Sequence, residues 1–384
     1  MCNCHRPIGW TLLFVLALCV APRSAHARFD AAKVHAVITE MGGKAAADPE
    51  IPGLSIAVLQ KGGAEPVTAA FGTACIENAT PLTPESRFKI GSVTKVFTAA
   101  LIHSYIEEGK LAYDTPISRF FPGFPNGGAI TVRNLLEHSS GIVDMLRLAP
   151  VYNNMAKNWT PEELIAMAGE QPLRFQPGTQ QEYSNTGFLM LACICEQITG
   201  KRYDELVRGM FVDKLGMKSL VVGDDQTIVP HLSCGYTNGA EGGQSLPIMA
   251  SLAVAKGTGN IEASPSDVVR LVNLDRVLKN TVLDTVALTP LAMPGGWKAA
   301  PRKMSSGGTV NQLDGCELFL FDAPKLALVG KLGSFPGFGT AYLYDRQTKI
   351  AVAISVNNER AIQRAVSLGV GILNALRNGD AARK

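Results

Sequence analysis

The run Ser86-Arg87-Phe88-Lys89-Ile90-Gly91-Ser92-Val93-Thr94-Lys95-Val96-Phe97-Thr98-Ala99 changes character at its glycine. Residues 86–90 read as extended chain. From Ser92 the period becomes helical: Val93, Val96, Phe97, Ala100 and Leu101 fall at i, i+3, i+4, i+7 and i+8, one apolar helix face, with Gly109 as a stop. Two Ser-x-x-Lys motifs straddle the switch. Ser86 and Lys89 lie on extended chain, where residues three apart point to opposite faces. Ser92 and Lys95 lie one helical turn apart on the same side, so the amine approaches the hydroxyl. A helix start also offers free N–H groups and a positive dipole end, which suit a developing oxyanion. Both residues border the apolar stripe, and a partly desolvated lysine gives up its proton more easily. The motif by itself also fits a plain helix cap beside a solvated lysine, because a chain of this length holds roughly one by chance.

Working outward, Leu54–Gln60 reads as a strand ending in Lys61-Gly62-Gly63, and Pro66–Gly72 as its hairpin return. Thr131–Leu136 starts a short helix. Phe188–Ile198 is apolar nearly all round and reads as a buried helix. Ser264-Pro265-Ser266-Asp267 is a helix opening, with Ser264 as cap, leading into Val268–Leu278. The last third alternates strand-like runs: Glu317–Phe321, Lys325–Leu332, Gly339–Asp345 and Ile350–Val356, before a closing amphipathic helix from Glu359 to Leu376. Strands stand at both ends and helices in the middle. The expected fold is therefore α+β: an antiparallel sheet formed by the N- and C-terminal strands, plus a mostly helical lobe. The expected division is a sheet lobe of 28–90 with 300–384 and a helical lobe of 91–299, with a site in the cleft between them.

Two further triplets join the serine and lysine. Tyr-x-Asn occurs at Tyr152, Tyr183 and Tyr236. Only Tyr183 and Asn185 sit between a Pro177-Gly178 turn and a buried helix, where a tyrosine could relay a proton and an amide could hold substrate. Lys-x-Gly occurs at Lys61, Lys214 and Lys331. Lys331-Leu332-Gly333 ends a strand and runs into Ser334, offering a cation and a backbone N–H to a substrate carbonyl. No Ser stands in G-x-S-x-G, no Walker A loop occurs, and no G-x-G-x-x-G opens a helix.

In these flanks the chain resembles the serine β-lactamase and penicillin-binding protein superfamily, in particular its class C β-lactamases, D-alanyl-D-alanine carboxypeptidases and β-lactamase-like esterases. The resemblance runs from about Ile51 to Asn357 and rests on five stretches. They are SRFKIGSVTKVFTA (Ser86–Ala99), TVRNLLEHSSGI (Thr131–Ile142), PGTQQEYSNTGFLML (Pro177–Leu191), ITGKRYDELV (Ile198–Val207) and GKLGSFPGFGTAYLYD (Gly330–Asp345). It implies a β-lactamase/transpeptidase-like fold and a serine hydrolase. Ser92 would be the nucleophile that forms an acyl-enzyme, Lys95 its general base, and Tyr183 the proton relay. Asn185 would contact a substrate amide and Lys331 would supply the third-motif cation. The backbone N–H groups of Ser92 and Ser334, beside Gly333, would form the oxyanion hole. His138 reads as structural. Two departures bear on substrate. Leu332 stands where β-lactamases often carry a hydroxyl that helps bind the substrate carboxylate, and leucine donates no hydrogen bond. No Ser-Asp-Asn triplet occurs, which speaks against class A. The expected substrates are small esters or amides, β-lactams included. The alternatives are a D-alanyl-D-alanine carboxypeptidase acting on peptidoglycan stem peptides, a class C-like β-lactamase, and a non-catalytic penicillin-binding sensor or assembly module.

The remaining composition sets context. Residues 1–27 have a basic start, an apolar run from Trp10 to Ala21 and Ala25-His26-Ala27, the order of a secretory signal. The expectation is a periplasmic or secreted protein with no membrane span in the mature chain. The net charge of +3 is small and unclustered, which excludes a nucleic-acid partner. Removing the leader takes Arg6 and Arg23 and no acid, so even that charge says nothing of partners. It also leaves Cys75, Cys193, Cys195, Cys234 and Cys316, an odd set with at least one unpaired thiol. The histidines form no metal-binding spacing, so neither metal nor other cofactor is expected. Gly239–Gly257 is glycine-rich and aperiodic and reads as a loop.

Overall fold

The computed structural model describes residues 29–240, 243–279 and 326–381, together with strand backbone at 302–303, 309–312 and 319–323. The expected leader and Cys316 lie outside these residues. The chain from Ala31 onward forms one unit.

β1 (Gly53–Gln60) and β2 (Val67–Cys75) form the hairpin expected around Lys61-Gly62-Gly63, and β3 (Thr80–Pro81) extends it. Far along the chain come β9 (Arg302–Lys303), β10 (Thr309–Gln312), β11 (Phe319–Ala323), β12 (Leu326–Phe335), β13 (Phe338–Asp345) and β14 (Ile350–Val356). All nine strands make one antiparallel sheet, ordered β3-β2-β1-β14-β13-β12-β11-β10-β9. The ends of the chain meet in its interior, with Leu54 opposite Val356 and Gln60 opposite Ile350. β13 and β14 are buried along their whole length, as continuous apolar runs require when both faces are covered. Alternate residues serve opposite layers. Tyr342, Tyr344, Ala351 and Ala353 belong to the core shared with the central helices. Leu343, Val352 and Ile354 face Gly369 in the closing helix.

The helices are α1 (Ala31–Ala45), α2 (Thr94–Glu107), α3 (Val132–Leu136), α4 (Ala149–Tyr152), α5 (Pro161–Gly169), α6 (Asn185–Thr199), α7 (Tyr203–Val207), α8 (Pro265–Val268) and α9 (Ile362–Ala381). α1 and α9 pack together on one side of the sheet. α2 and α6 form the centre of the helical layer on the other. α3 starts where expected, with Thr131 and Asn134 closing a reciprocal capping box.

Four local expectations are corrected. α2 has no solvated face: every residue from Thr94 to Tyr105 is buried, Lys95 included. Its polar side chains are satisfied internally, for example Thr98 Oγ1 against Tyr203 Oη at 2.6 Å and the Gly257 carbonyl at 2.7 Å. The helix expected over Val268–Leu278 is only the four-residue α8, followed by a 3₁₀ run from Val269 to Arg276 that is irregular at Asn273. There the Asn273 side chain reaches out, accepting from Gly62 N–H (2.7 Å) and donating to the Gly63 carbonyl (3.0 Å). Ser264 does not cap through its side chain; its hydroxyl lies 2.9 Å from Ser219 Oγ. Finally, the extended Phe88–Lys89 segment (β4) does not join the main sheet. It pairs with β8 (Ile261–Ala263), which also carries β5 (Val221–Val222).

The glycine-rich stretch is partly ordered by a two-strand ladder of β6 (Thr237–Asn238) and β7 (Gln244–Ser245). A Cys75–Cys234 disulfide, spanning 159 residues, ties this region to the end of β2.

Candidate active site

The switch at Gly91 has a steric cause. Gly91 takes φ +52°, and a Cβ there would sit 2.5 Å from the Ser334 carbonyl oxygen. Only glycine meets both conditions. Ser92 then lies in a single 3₁₀ turn, Gly91–Val93, rather than in α2 itself, and the α-helix starts at Thr94. β8 locks this turn from the side: Ile90 N–H donates to the Ile261 carbonyl at 3.0 Å, and Ile261 N–H to Thr94 Oγ1 at 3.2 Å.

Lys95 is fully buried yet well supplied with acceptors. Its Nζ lies 3.2 Å from Ser92 Oγ, 2.8 Å from Asn185 Oδ1 and 2.9 Å from the Thr258 carbonyl. Three acceptors match the three donors of an ammonium. The hydroxyl of Tyr183 donates to Ser92 Oγ at 2.8 Å. Ser92 therefore stands between an amine and a phenol, each within hydrogen-bond reach, the arrangement an activated hydroxyl nucleophile needs.

Tyr183 is held on several sides. Its ring lies 4.8 Å from Lys95 Nζ and 5.2 Å from Lys331 Nζ. Either amine, when it carries a proton, favours negative charge at the phenol oxygen or on a substrate oxygen beside it. The His138 ring packs against it at 4.4 Å between centroids. His138 also accepts from Ser184 N–H through Nδ1 (3.2 Å) and from Glu182 N–H through its carbonyl (3.0 Å). Its φ of +55° is uncommon for a side-chain-bearing residue, and it positions the tyrosine loop.

Lys331 is buried in β12 opposite Tyr342. Two residues on, Gly333 passes so close to the Ser92 turn that a Cβ would lie 1.9 Å from the Ile90 carbonyl oxygen. Ser334 follows, with its backbone against Gly91. The sheet thus delivers Lys331, Gly333 and Ser334 to the same place as Ser92, Lys95, Tyr183 and Asn185.

The competing triplets separate. Ser86 Oγ accepts from Thr83 N–H at 2.9 Å, and Lys89 sits over the Phe335 ring at 5.0 Å. Tyr236 donates to Glu77 at 2.6 Å, and Tyr152 is exposed. Lys61 pairs with Asp275 at 3.2 Å.

One residue escaped the sequence reading. Asp144, buried, accepts from Asn185 Nδ2 through both oxygens, at 3.2 and 3.0 Å. Asn185 was expected to meet a substrate amide; here its oxygen holds Lys95 and its NH₂ is held by Asp144. A carboxylate thus stands one amide away from the buried amine. The only local signal was an acid just after the Ser139-Ser140-Gly141 turn.

Among the described residues, the free cysteines are not reactive nucleophiles. Burial pushes the Cys193 thiol up to about 12 and raises Cys195 as well, which keeps both as thiols. Among the described residues, the only close group of His, Cys, Asp or Glu ligand atoms is Cys75, Glu77 and Cys234. Its two sulfurs are joined to each other.

The sequence matches the family model described as Beta-lactamase over residues 37–377. It is 29% identical over 289 residues to a probable fimbrial assembly protein FimD of Dichelobacter nodosus, covering 70% of this chain and 66% of that one. The chain thus spans just under two thirds of that relative's length. A beta-lactamase of Pseudomonas fluorescens is 25% identical over 350 residues, covering 85% of this chain and 94% of that one. Among solved structures, the D-amino acid amidase of Ochrobactrum anthropi SV3 in complex with L-phenylalanine amide superposes with a TM-score of 0.73 at 25% identity. That match covers 91% of this chain and 99% of the amidase.

Proposed function

The chain belongs to the beta-lactamase family, and from that footing we propose that it is a serine hydrolase of small esters and amides working through an acyl-enzyme on Ser92. The observation that carries this reading is Ser92 Oγ held at once by Lys95 Nζ at 3.2 Å and Tyr183 Oη at 2.8 Å.

In the proposed mechanism Lys95 acts as the free amine, the protonation state in which Ser92 Oγ donates to Nζ instead of accepting from it. It takes the Ser92 proton as Oγ attacks the substrate carbonyl carbon. The carbonyl π-electrons move to oxygen, and the backbone N–H groups of Ser92 and Ser334 receive the oxyanion. Collapse expels the alcohol or amine, which is protonated through Tyr183 from the proton held on Lys95. Water then attacks the acyl carbon, its proton returning along the same route, and Ser92 leaves as a hydroxyl. Asn185 and Asp144 hold the amine in line; Lys331 steadies the tyrosine and the negative charge that develops on the substrate oxygen.

Leu332 favours esters and uncharged amides over β-lactams and D-alanyl-D-alanine peptides, because it cannot donate to a substrate carboxylate. Export is part of the proposal. The leader-like 1–27 and the Cys75–Cys234 disulfide both suit an oxidising compartment. No helix among the described residues is long and apolar enough to cross a membrane.

The test is intact-mass and rate measurement with a fluorescent penicillin, p-nitrophenyl esters and D-phenylalanine amide, using Ser92→Ala as control. The expected result is an acyl adduct and turnover in wild type, and neither in Ser92→Ala. Equal activity in the two proteins would overturn the assignment. Penicillin turnover far above that of the esters would overturn the reading of Leu332. Binding without any adduct would instead mark a non-catalytic module.

A further inference from the structure

The short ladder β4-β8-β5 carries the approach to Ser92. Its middle strand pairs Glu262 with Lys89 on one edge and with Val221 on the other. Cross-strand partners project from the same face, so the Glu262 carboxyl and the Lys89 ammonium share one side of the ladder. Glu262 is 2% exposed, and its Oε2 is buried without a hydrogen-bond partner. A buried acceptor left in this state is costly unless a donor completes it. The niche is cut to hold a carboxyl: a Cβ on Gly223, just after β5, would lie 3.2 Å from Glu262 Cδ and 3.3 Å from Oε2. The charged groups around it are Arg87 and Lys89 from β4, and Asp224 and Asp225 from the loop after β5. Burial pushes the Glu262 carboxyl up to about 7, and Lys89 pulls against that rise, so both charge states are reached near neutral pH.

Lys89 has a second neighbour. Its ammonium lies over the Phe335 ring at 5.0 Å, within the range of a cation–π contact. Phe335 is the last residue of β12 and pairs with Phe338 across the turn into β13. It directly follows Ser334, whose backbone N lies 2.7 Å from where a Cβ on Gly91 would stand. A shift of Phe335 therefore moves the Ser334 N–H against the turn that carries Ser92. One ammonium thus serves either a ring that anchors the end of β12 or an acid whose free oxygen it can complete.

We propose that Glu262 is a positioning residue for the Ser334 end of the site and acts through Lys89. As a neutral acid it leaves the ammonium on Phe335 and the Ser334 N–H in place. As a carboxylate it draws the ammonium across the ladder, and the Ser334–Phe335 backbone loosens. The change is a proton lost to solvent and a rotation of the Lys89 side chain, with no covalent step. The proposal rests on the acyl-enzyme reading of Ser92, with Ser334 N–H as an oxyanion donor.

The test is kcat/KM for p-nitrophenyl acetate from pH 6 to pH 8, followed at the isosbestic wavelength of p-nitrophenol, in wild type, Glu262→Gln and Lys89→Met. Glu262→Gln keeps the ammonium on Phe335 at every pH, and Lys89→Met never has it there. Wild type is expected to match Glu262→Gln at pH 6 and to approach Lys89→Met at pH 8. Its rate relative to either variant then falls by about 2- to 5-fold through pH 7, the scale of one cation–π contact. The Lys89→Met comparison alone decides the matter if Glu262→Gln does not fold. A ratio to Lys89→Met that stays constant with pH overturns the proposal, because a purely structural lysine gives that result. A fall relative to Glu262→Gln that persists when both proteins also carry Lys89→Met overturns it too, because Glu262 would then act without Lys89. Either result leaves Ser92-dependent turnover standing. Turnover that survives Ser92→Ala, or none in wild type, overturns the underlying reading instead.

Discussion

Tyr183 does two things through different atoms: its ring packs against His138 at 4.4 Å, and its hydroxyl donates to Ser92 at 2.8 Å. Tyr183→Phe removes the second and keeps the first. If the hydroxyl relays protons, acylation and deacylation fall together by about 100-fold or more, the scale of general acid–base catalysis. The melting temperature stays where it was, because the hydroxyl is only partly buried and water can replace its bond. Ester hydrolysis and a thermal melt check both halves; a variant with wild-type turnover sinks the relay. At this scale the sequence was legible where a motif and its flanks coincided. Ser92, Lys95, Tyr183, Lys331 and Gly333 all lie in short patterns whose neighbours predict a turn, a helix start or a strand end. Asp144 was not, because its role depends on an amide 41 residues away, and no local pattern encodes that pairing. Lys95 was read as bordering an apolar stripe. Its complete burial depends on α6, α7 and the Gly257–Thr258 backbone closing over a helix face that local periodicity assigns to solvent.

Among the elements, β8 holds more of the site together than its three residues suggest. It hydrogen-bonds the backbone before Ser92 on one edge and β5 on the other, and it places Glu262 opposite Lys89 in register. Glu262 is buried, and its Oε2 has no hydrogen-bond partner. Burial pushes its carboxyl up to about 7. Asp225 and Asp224 add to the rise, while Lys89 and Arg87 oppose it. A carboxyl whose folded-state pKa is raised keeps its proton more tightly in the folded chain. Stability is thus fully present below the ordinary value of 4.5, falls as pH rises toward about 7, and levels off above. Glu262→Gln carries no charge at any pH and lacks this slope. Its melting temperature relative to wild type is expected to climb between pH 5 and pH 7 and then stay constant; parallel curves across that range would refute the assignment. The main strands and α2, α6 and α9 were foreseeable because each is a long apolar run or a periodic one. β5, β6 and β7, at two residues each, have no period to read. The Val269–Arg276 run departs from the expected helix because Asn273 serves the β1–β2 turn, a tertiary demand that overrides local propensity.

At the scale of the whole molecule, the site is where two layers meet backbone to backbone. The central strands come from opposite ends of the chain, β1 beside β14, so the sheet closes only when the whole chain is present. The helical layer contributes Ser92, Lys95, Tyr183 and Asn185, and the sheet contributes Lys331 and Ser334. Their spacing is set by how closely β12 can approach the turn before α2, and that approach is fixed at Gly333. A methyl group there would lie 1.9 Å from the Ile90 carbonyl oxygen and 2.9 Å from Val93 N. Both obstacles are backbone and cannot swing aside as a side chain would, so β12 and the Ser92 turn must separate by about 1 Å or more. Such a displacement costs reactions of this kind about 100-fold. Gly333→Ala is therefore expected to lower the acylation rate of Ser92 by about that factor and to lower the melting temperature by several degrees, while far-UV circular dichroism stays native. Gly128→Ala is the control, since nothing lies within 4 Å of a Cβ at that position. If Gly333→Ala acylates as fast as Gly128→Ala, the spacing between the layers does not set the geometry of the site.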